Sequence, residues 1–315
     1  MKRVVVTGCS GFIGSHMAEK LVSEGYSVTG IDNLSTGKIQ FLYNLKNKKK
    51  FKFIKTDLYH SNINKYFKNH NAVFHFAANA DVKDGLKNPD KDLKQNTIVT
   101  FKVLEAMRKN KIKNIFFSST GSIYGEPNKF PTPENDKFPI QTSLYGSSKL
   151  ACEGLIQAYS EGYKINSFIF RFVSIFGPRY THGHLYDFYK QLKKNPKKLV
   201  VLGNGYQSKS YLNVSDCVSA IFKIYKKKMN GTHVYNLGLN KLITVRESIK
   251  ILTKYLNLDP VIKFGKAKRG WIGDSPKILL DIKKIKKTGW IPKKTIKESI
   301  HETVEYFKKN DWVFK

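Results

Sequence analysis

The sequence predicts an α/β fold, a doubly wound parallel sheet followed by a smaller C-terminal α/β domain. Three observations carry this. The first 32 residues read as a buried strand, a glycine turn, a helix and a second strand closed by an acid. Apolar strand-like runs then alternate with helical patterns as far as residue 171, the order that builds a parallel sheet covered on both faces. From Val173 onward the alternation weakens, which marks a second unit.

The opening unit begins with the apolar run Val4-Val5-Val6 and turns at Gly8, Gly11 and Gly14. Gly8 lets the chain leave the strand sharply, Gly11 lets backbone approach a pyrophosphate, and Gly14 lets the helix lie close to the sheet with its first N–H groups facing the phosphate. Asp32 stands 18 residues beyond Gly14. An acid there can accept both hydroxyls of an adenosine ribose and would repel a 2′-phosphate, so a dinucleotide is expected, and NAD rather than NADP. Glycine turns without nucleotides are common, and G-x-x-G-x-x-G is not the usual spacing. The flanking strand, helix and acid therefore carry the expectation.

Residues 33–38 are loop chemistry. Strands are predicted over 51–56, ending at Asp57-Leu58; over 72–76, running into Ala77-Ala78; and over 115–119 and 166–171. Helices are predicted over 62–69, 90–110 and 144–161. Ligands in such a sheet bind beyond the carboxyl ends of the strands, so Asp57, Ala77, Ala78 and Thr120 should line one crevice. Four prolines, Pro127, Pro131, Pro133 and Pro139, punctuate a polar stretch too long for an ordinary connection, which reads as a functional loop. Beyond it, helices are expected over 187–194, 215–226, 245–256 and 294–308, with turns at 177–179 and 203–205 and a strand over 234–237 that rejoins the sheet. The expected domains are 1–173 plus about 212–240, and 174–211 plus 241–315.

No apolar stretch approaches a membrane span and no signal-like segment opens the chain, so a cytoplasmic protein without a membrane partner is expected. Cys9, Cys152 and Cys217 lie far apart without ligand spacing, which predicts reduced thiols and no metal. The net charge of +32 raises a nucleic-acid reading. Only six of the 56 basic residues are Arg, the side chain most used on bases and phosphates, and the lysines fall in scattered runs such as 46–52, 226–228 and 283–287. A solvated lysine-rich surface without a nucleic-acid partner explains this better, with attraction of anionic substrates as a side effect.

Tyr145 and Lys149 stand four apart, on one helix face. A nearby ammonium favours the phenolate, so Tyr145 is expected to have a lowered pKa and to serve as a base. With 17 Tyr and 50 Lys in 315 residues, about 2.7 such pairs arise by chance, and three occur: Tyr145/Lys149, Tyr186/Lys190 and Tyr189/Lys193. Position separates them. The first opens the helix after a strand ending in the hydroxyl cluster Ser118-Ser119-Thr120, whereas the other two share a helix read as solvated.

Together, residues 7–14, 32–37, 75–78, 118–125 and 145–149 resemble the extended short-chain dehydrogenase/reductase family, and within it the nucleotide-sugar epimerases, above all UDP-hexose 4-epimerases. Residues 171–179, 203–207, 235–238 and 269–274 continue the resemblance, so it covers nearly the whole chain. It implies a Rossmann-type domain holding NAD through Gly8, Gly11, Phe12, Ile13, Gly14, Asp32, Asn33, Asp57, Leu58, Phe76, Ala77, Ala78, Ser118, Tyr145 and Lys149. It also implies a domain that grips a nucleotide-diphosphate sugar through Ser174, Arg179, Gln207, Lys209, Tyr211, Arg269 and Asp274. Tyr145 would take the proton of the sugar 4-hydroxyl, Thr120 would hydrogen-bond that oxygen, and Lys149 would hold the nicotinamide ribose and tune Tyr145. The 4-keto sugar would turn over and be reduced on its other face. By the same analogy, helices 90–110 and 144–161 would form a homodimer seam.

Where family dehydratases carry Asp-Glu, this chain has Gly121-Ser122, which cannot do their proton work. Ser174 stands for a common Asn, Lys209-Ser210 for Arg-Asp, and Arg269 lies two positions earlier than the usual phosphate-binding Arg. A net C4 dehydrogenase, or another epimerase forming the 4-keto sugar, shares the same site. A catalytically idle dinucleotide sensor, or a lysine-rich RNA-binding protein, is the reading of another class. Ser118 and Ser119 read as strand-end hydrogen bonders and His75 as a core histidine. Asn96 is divided between a structural bond and the active site, and Tyr180, His182 and His184 between the sugar and the surface.

Overall fold

The computed structural model describes residues 2–82, 85, 87–137 and 140–314. Pro139 of the long loop lies outside them. In chain order the elements are β1 (Arg3–Thr7), α1 (Phe12–Ser23), β2 (Ser27–Asp32), β3 (Phe51–Lys55), α2 (Asn64–Phe67), β4 (Ala72–His75), α3 (Pro89–Asp92), α4 (Val99–Lys109), β5 (Asn114–Thr120), α5 (Leu144–Tyr163) and β6 (Asn166–Phe172). They continue with β7 (Ser174–Phe176), α6 (His184–Lys194), β8 (Lys198–Val201), β9 (Ser208–Lys209), β10 (Tyr211–Asn213), α7 (Val214–Lys226) and β11 (Thr232–Leu237). Last come β12 (Ile243–Thr244), α8 (Val245–Leu256), β13 (Val261–Phe264), β14 (Lys277–Ile278), α9 (Lys283–Lys286) and α10 (Ile296–Lys309).

The chain divides into two compact units, the first being Met1–Ile123, Leu144–Arg171 and Val218–Tyr235. Its seven-stranded sheet has the order β11-β6-β5-β4-β1-β2-β3. β1 runs parallel to both β2 and β4, with Val4 beside Val28 and Ala72. The 234–237 strand does rejoin the sheet. Ser167 N–H donates to Gly231 O and Val173 N–H to Leu237 O, so β6 and β11 advance in the same direction. Strand order reverses between β1 and β4, and the carboxyl ends there form the crevice where such sheets bind ligands.

Alternation along each strand separates the two faces of the sheet. Val5, Ile31, Val73, Ile115, Phe117 and Ile169 pack with Val103 and Met107 of α4 and Cys152 and Ile156 of α5. On the other face Phe74, Phe116 and Phe168 stack in series at 4.7 Å, with Tyr225 of α7 edge-on to the first two at 5.2 Å. Burying one such Phe contributes about 1.5–3 kcal/mol. The 62–69 helix contracts to the single turn α2, and the 90–110 helix starts at Pro89 and passes through a π-helical stretch at Leu93–Ile98. An unexpected 3-10 segment, Ile39–Leu45, buries Phe41, Leu42 and Leu45.

The second unit is Tyr124–Ser143, Phe172–Cys217 and Asn236–Lys315. It contains three small sheets, β10-β7, β12-β9-β14 and β13-β8. The proline-rich loop, expected with the first domain, clusters here instead. Thr132 N–H donates to Leu279 O and Asp281 N–H to Thr132 O, while Asn236 Nδ2 donates to Thr132 O and accepts at Oδ1 from Tyr124. α8 and α10 open with capping boxes, Thr244/Glu247 and Thr295/Glu298, which satisfy otherwise orphaned N–H groups. Among the described residues no helix is long and apolar enough to cross a membrane.

Candidate active site

At the carboxyl ends of β1, β2 and β4 the backbone is packed too tightly for side chains. Gly8 has φ +68°, and a Cβ there would lie 2.7 Å from Ala77 N. A Cβ on Gly14 would come 2.0 Å from Gly8 O, so the contact that needs this glycine is between helix and turn rather than helix and sheet. α1 begins at Phe12, with no acid in its first turn, leaving its positive end available to an anion. Phe12 and Ile13 are half-buried in that turn. Gly14→Ala would press a methyl against main chain that cannot yield. We expect a loss of about 1–3 kcal/mol, together with loss of bound dinucleotide, read by the melting temperature and the absorbance of acid-released cofactor.

Asp32 closes β2, its Oδ2 accepting Ser10 N–H at 2.9 Å and its Oδ1 accepting Leu34 N–H at 2.8 Å. Burial raises its pKa, and these two amides only partly offset that. Burial also pushes Asp57 upward, but bonds from Asn33 Nδ2 and from the His60 and Tyr59 amides outweigh it and leave the carboxyl below its ordinary range. Gly8, Asp32, Asn33, Asp57 and Ala77 thus share one crevice with half-buried Phe76 and Ala78, whereas Leu58 packs into the hydrophobic core. A tight glycine turn, an acid-free helix start and a carboxylate closing β2 fit a dinucleotide.

Lys149 is buried on α5, its Nζ donating to Ser118 O at 2.9 Å and lying 4.7 Å above the Phe117 ring. Burial pushes its ammonium down to about 8. Tyr145 keeps part of its surface, yet desolvation raises its phenol above the ordinary tyrosine range, and a hydrogen bond with Thr120 offsets only part of this. The expected lowering of Tyr145 is therefore corrected. Low polarity around the phenol sets this direction, the Asp92 carboxylate adds to it, and the Lys149 ammonium is engaged with a carbonyl. The Tyr186 and Tyr189 pairs also differ from expectation. Their rings pack on Phe307 and Phe314 rather than standing in solvent.

Behind this cluster lies a polar layer largely missed in the sequence. Asn96 Oδ1 accepts Asn79 N–H, and its Nδ2 donates to Asp92 Oδ1 and Ser148 Oγ, so its structural role is real. Ser119 Oγ donates to Glu153 Oε1 at 2.5 Å, and Arg171 Nη2 meets Glu153 Oε2 at 2.7 Å, all three buried. The four-residue step from Lys149 to Glu153 was the available signal. Ser118 Oγ donates to His75 O. His75 lies between Thr7 Oγ1 (2.7 Å) and Thr100 Oγ1 (3.1 Å), and burial pushes its pKa down to about 3. An unfolded histidine titrates near 6.5, so below that pH the unfolded chain binds the extra proton. The stability this supplies is complete above about pH 6.5 and is lost as pH falls toward 3. Melting temperatures between pH 7.5 and 4.5 should fall more steeply for the native chain than for His75→Asn.

In the second unit, Ser174 of β7 pairs in register with Tyr211 of β10. Tyr211 stacks on Phe176 at 4.2 Å, with its hydroxyl 3.3 Å from His184 Nδ1. Arg179 is buried at φ +68°, and Tyr180, for which a surface position was equally expected, is buried too. Lys209 Nζ donates to Asp274 Oδ1 at 2.6 Å, while Asp274 Oδ2 accepts Gly270 N–H. Gln207 is buried beside Gly203. Arg269 forms an ion pair with Glu126. Two of the expected anion-binding cations are thus already held by carboxylates.

The NAD dependent epimerase/dehydratase family model matches residues 4–238. A UDP-galactose 4-epimerase crystal structure superposes with a TM-score of 0.89 at 33% identity, covering 98% of this chain and 100% of that one. A UDP-N-acetylglucosamine 4-epimerase from Methanobrevibacter ruminantium M1, in complex with UDP-N-acetylmuramic acid, superposes with a TM-score of 0.89 at 31% identity over 98% and 99% of the two chains. UDP-glucose 4-epimerase of Mycolicibacterium smegmatis is 27% identical, covering 97% of this chain and 98% of its own. Such a match over three quarters of the sequence, on a parallel sheet with this glycine crevice, settles the kinship: the chain belongs to the NAD dependent epimerase/dehydratase family, and it is an enzyme whose cofactor is NAD.

Proposed function

We propose that the enzyme is a nucleotide-sugar 4-epimerase, with a UDP-hexose as substrate, working through transient oxidation at C4. The observation that carries this reading is the grouping of the Tyr145 phenol, the Thr120 hydroxyl and the buried Lys149 ammonium in one unit. NAD, when bound, supplies the acceptor and then the donor of the C4 hydride. Tyr145 takes the proton of the sugar 4-hydroxyl and later returns it. Its raised pKa suits the return, and the Lys149 cation one turn along the helix favours the removal. Thr120 holds the same oxygen. The glycine turn takes the pyrophosphate and Asp32 the adenosine ribose. Ser174, Arg179, Gln207, Lys209, Tyr211, Arg269 and Asp274 form the nucleotide-sugar grip of the second unit. Gly121 and Ser122 leave no acid and base for eliminating water, which weighs against a dehydratase.

Exposed Leu93, Phe101 and Tyr163, along the π turn, α4 and α5, support a homodimer through those helices. Three buried free thiols agree with a reducing compartment, the cytoplasm. The test is to identify the dinucleotide released on denaturation and to follow UDP-, GDP-, CDP- and dTDP-sugars by NMR in deuterated solvent. A new UDP-sugar anomeric signal without deuterium in the sugar is expected. Accumulating NADH would mark a dehydrogenase instead, and conversion of none of these sugars by folded protein would sink the proposal.

A further inference from the structure

At the opposite end of the same sheet, the amino ends of β1, β2 and β3 frame a cavity of about 320 Å³. Strand register places Arg3, Ser27, Thr29, Lys52 and Ile54 on one face there, since Arg3 pairs with Ser27, Thr29 with Lys52 and Ile31 with Ile54. The helix over this face is the single turn α2. Its Lys65 and Tyr66, with Lys68 and His70 just beyond it, form an incomplete roof, fastened by His70 Nε2 to Thr29 Oγ1 at 2.9 Å. Lys49 and Lys50 complete the rim.

Six of the thirteen lining residues are Lys or Arg and none is acidic. The chain's composition alone would supply about two basic residues and one acidic. Among the described residues, none of the six cations forms an ion pair, unlike Lys209 and Arg269 in the second unit. All six are exposed, so solvent partly screens their mutual repulsion, and an anion carrying several charges in a short length relieves what is left. A linear di- or triphosphate has that charge density and fits the volume, and Thr29, Ser27 and His70 add hydrogen-bonding groups at the wall. Half-buried Phe51 and Tyr66 give a base an aromatic surface.

We propose that this cavity is a second ligand site, separate from the cofactor crevice, which binds a di- or triphosphate chain, free or carried by a nucleoside. The proposal does not depend on the epimerase reading. It is tested by calorimetry on the full chain at an ionic strength of about 0.15 M, with NAD and UDP in excess to fill the carboxyl-end crevice. Inorganic tripolyphosphate and ATP are the two probes. Tripolyphosphate should bind, and the triple variant Lys52→Gln/Lys65→Gln/Lys68→Gln should bind it at least about tenfold more weakly, because three charge-assisted contacts are lost. The control Lys226→Gln/Lys227→Gln/Lys228→Gln should be unchanged, and circular dichroism should show both variants folded. Tighter binding of ATP than of tripolyphosphate assigns the site to a nucleotide, and equal binding assigns it to the inorganic chain. The proposal is overturned if tripolyphosphate does not bind, if the control variant loses as much, or if a short RNA displaces it at lower phosphate concentration.

Discussion

Replacing Tyr145 with Phe should leave the fold and the NAD content of the enzyme intact and lower kcat on the proposed UDP-sugar substrate by about 10³-fold. A positioned general base or acid contributes about 10²–10⁴, and in the proposed cycle one oxygen serves in both directions, so the upper half of that range applies. The substitution removes a single atom from a half-buried ring on α5 and leaves Thr120 bonded to Ser122, 3.2 Å away, so no new cavity or unsatisfied hydroxyl opens. KM should stay within a few fold, because the sugar nucleotide is held chiefly by the second unit in this reading. Initial rates by NMR, with circular dichroism and released cofactor as controls, check all three parts. A variant retaining more than a tenth of the native rate would remove Tyr145 from the chemistry and leave Thr120 and Lys149 without a role.

That Tyr145 could be singled out in the sequence at all depended on its position rather than its motif. Tyr-x-x-x-Lys occurs no more often than chance, and the other two examples turn out to be packing tyrosines against Phe307 and Phe314. The strand-turn-helix opening was legible because each of its features is local. Gly8, Gly14 and Asp32 lie within one supersecondary unit, and their contacts follow from it. What could not be read depends on distant chain. The phenol of Tyr145 moves up rather than down because of its surroundings, the proline-rich loop leaves the first unit because Thr132 finds Leu279 and Asp281, and Asn79 meets Asp92 and Asn96 from beyond the end of β4. Binary pattern reports which face of an element is apolar. It does not report which polar groups meet once that face is buried.

The largest stability loss should come from Arg171→Met. Arg171 and Glu153 are almost wholly buried and doubly bonded, Nε to Oε1 at 3.1 Å and Nη2 to Oε2 at 2.7 Å. Removing the guanidinium strands a carboxylate with the Ser119 hydroxyl as its remaining close donor, and breaking such a pair costs about 3–5 kcal/mol. Replacing both partners, as Glu153→Leu/Arg171→Met, removes the stranded charge and should recover most of that loss, since the desolvation cost of a buried pair roughly cancels its attraction. Chemical denaturation of the two single variants and the double variant gives the coupling directly. The pair also has a mechanical consequence. Glu153 lies one turn beyond Lys149 on α5 and receives Ser119 from β5, so it ties the helix carrying Tyr145 to the strand end carrying Thr120. If that tie sets their spacing, the double variant should be stable yet slower in kcat than native, with KM unchanged. If it regains full turnover along with stability, the pair serves the fold alone, and the spacing of phenol and hydroxyl is held by the Lys149 bond to Ser118 O.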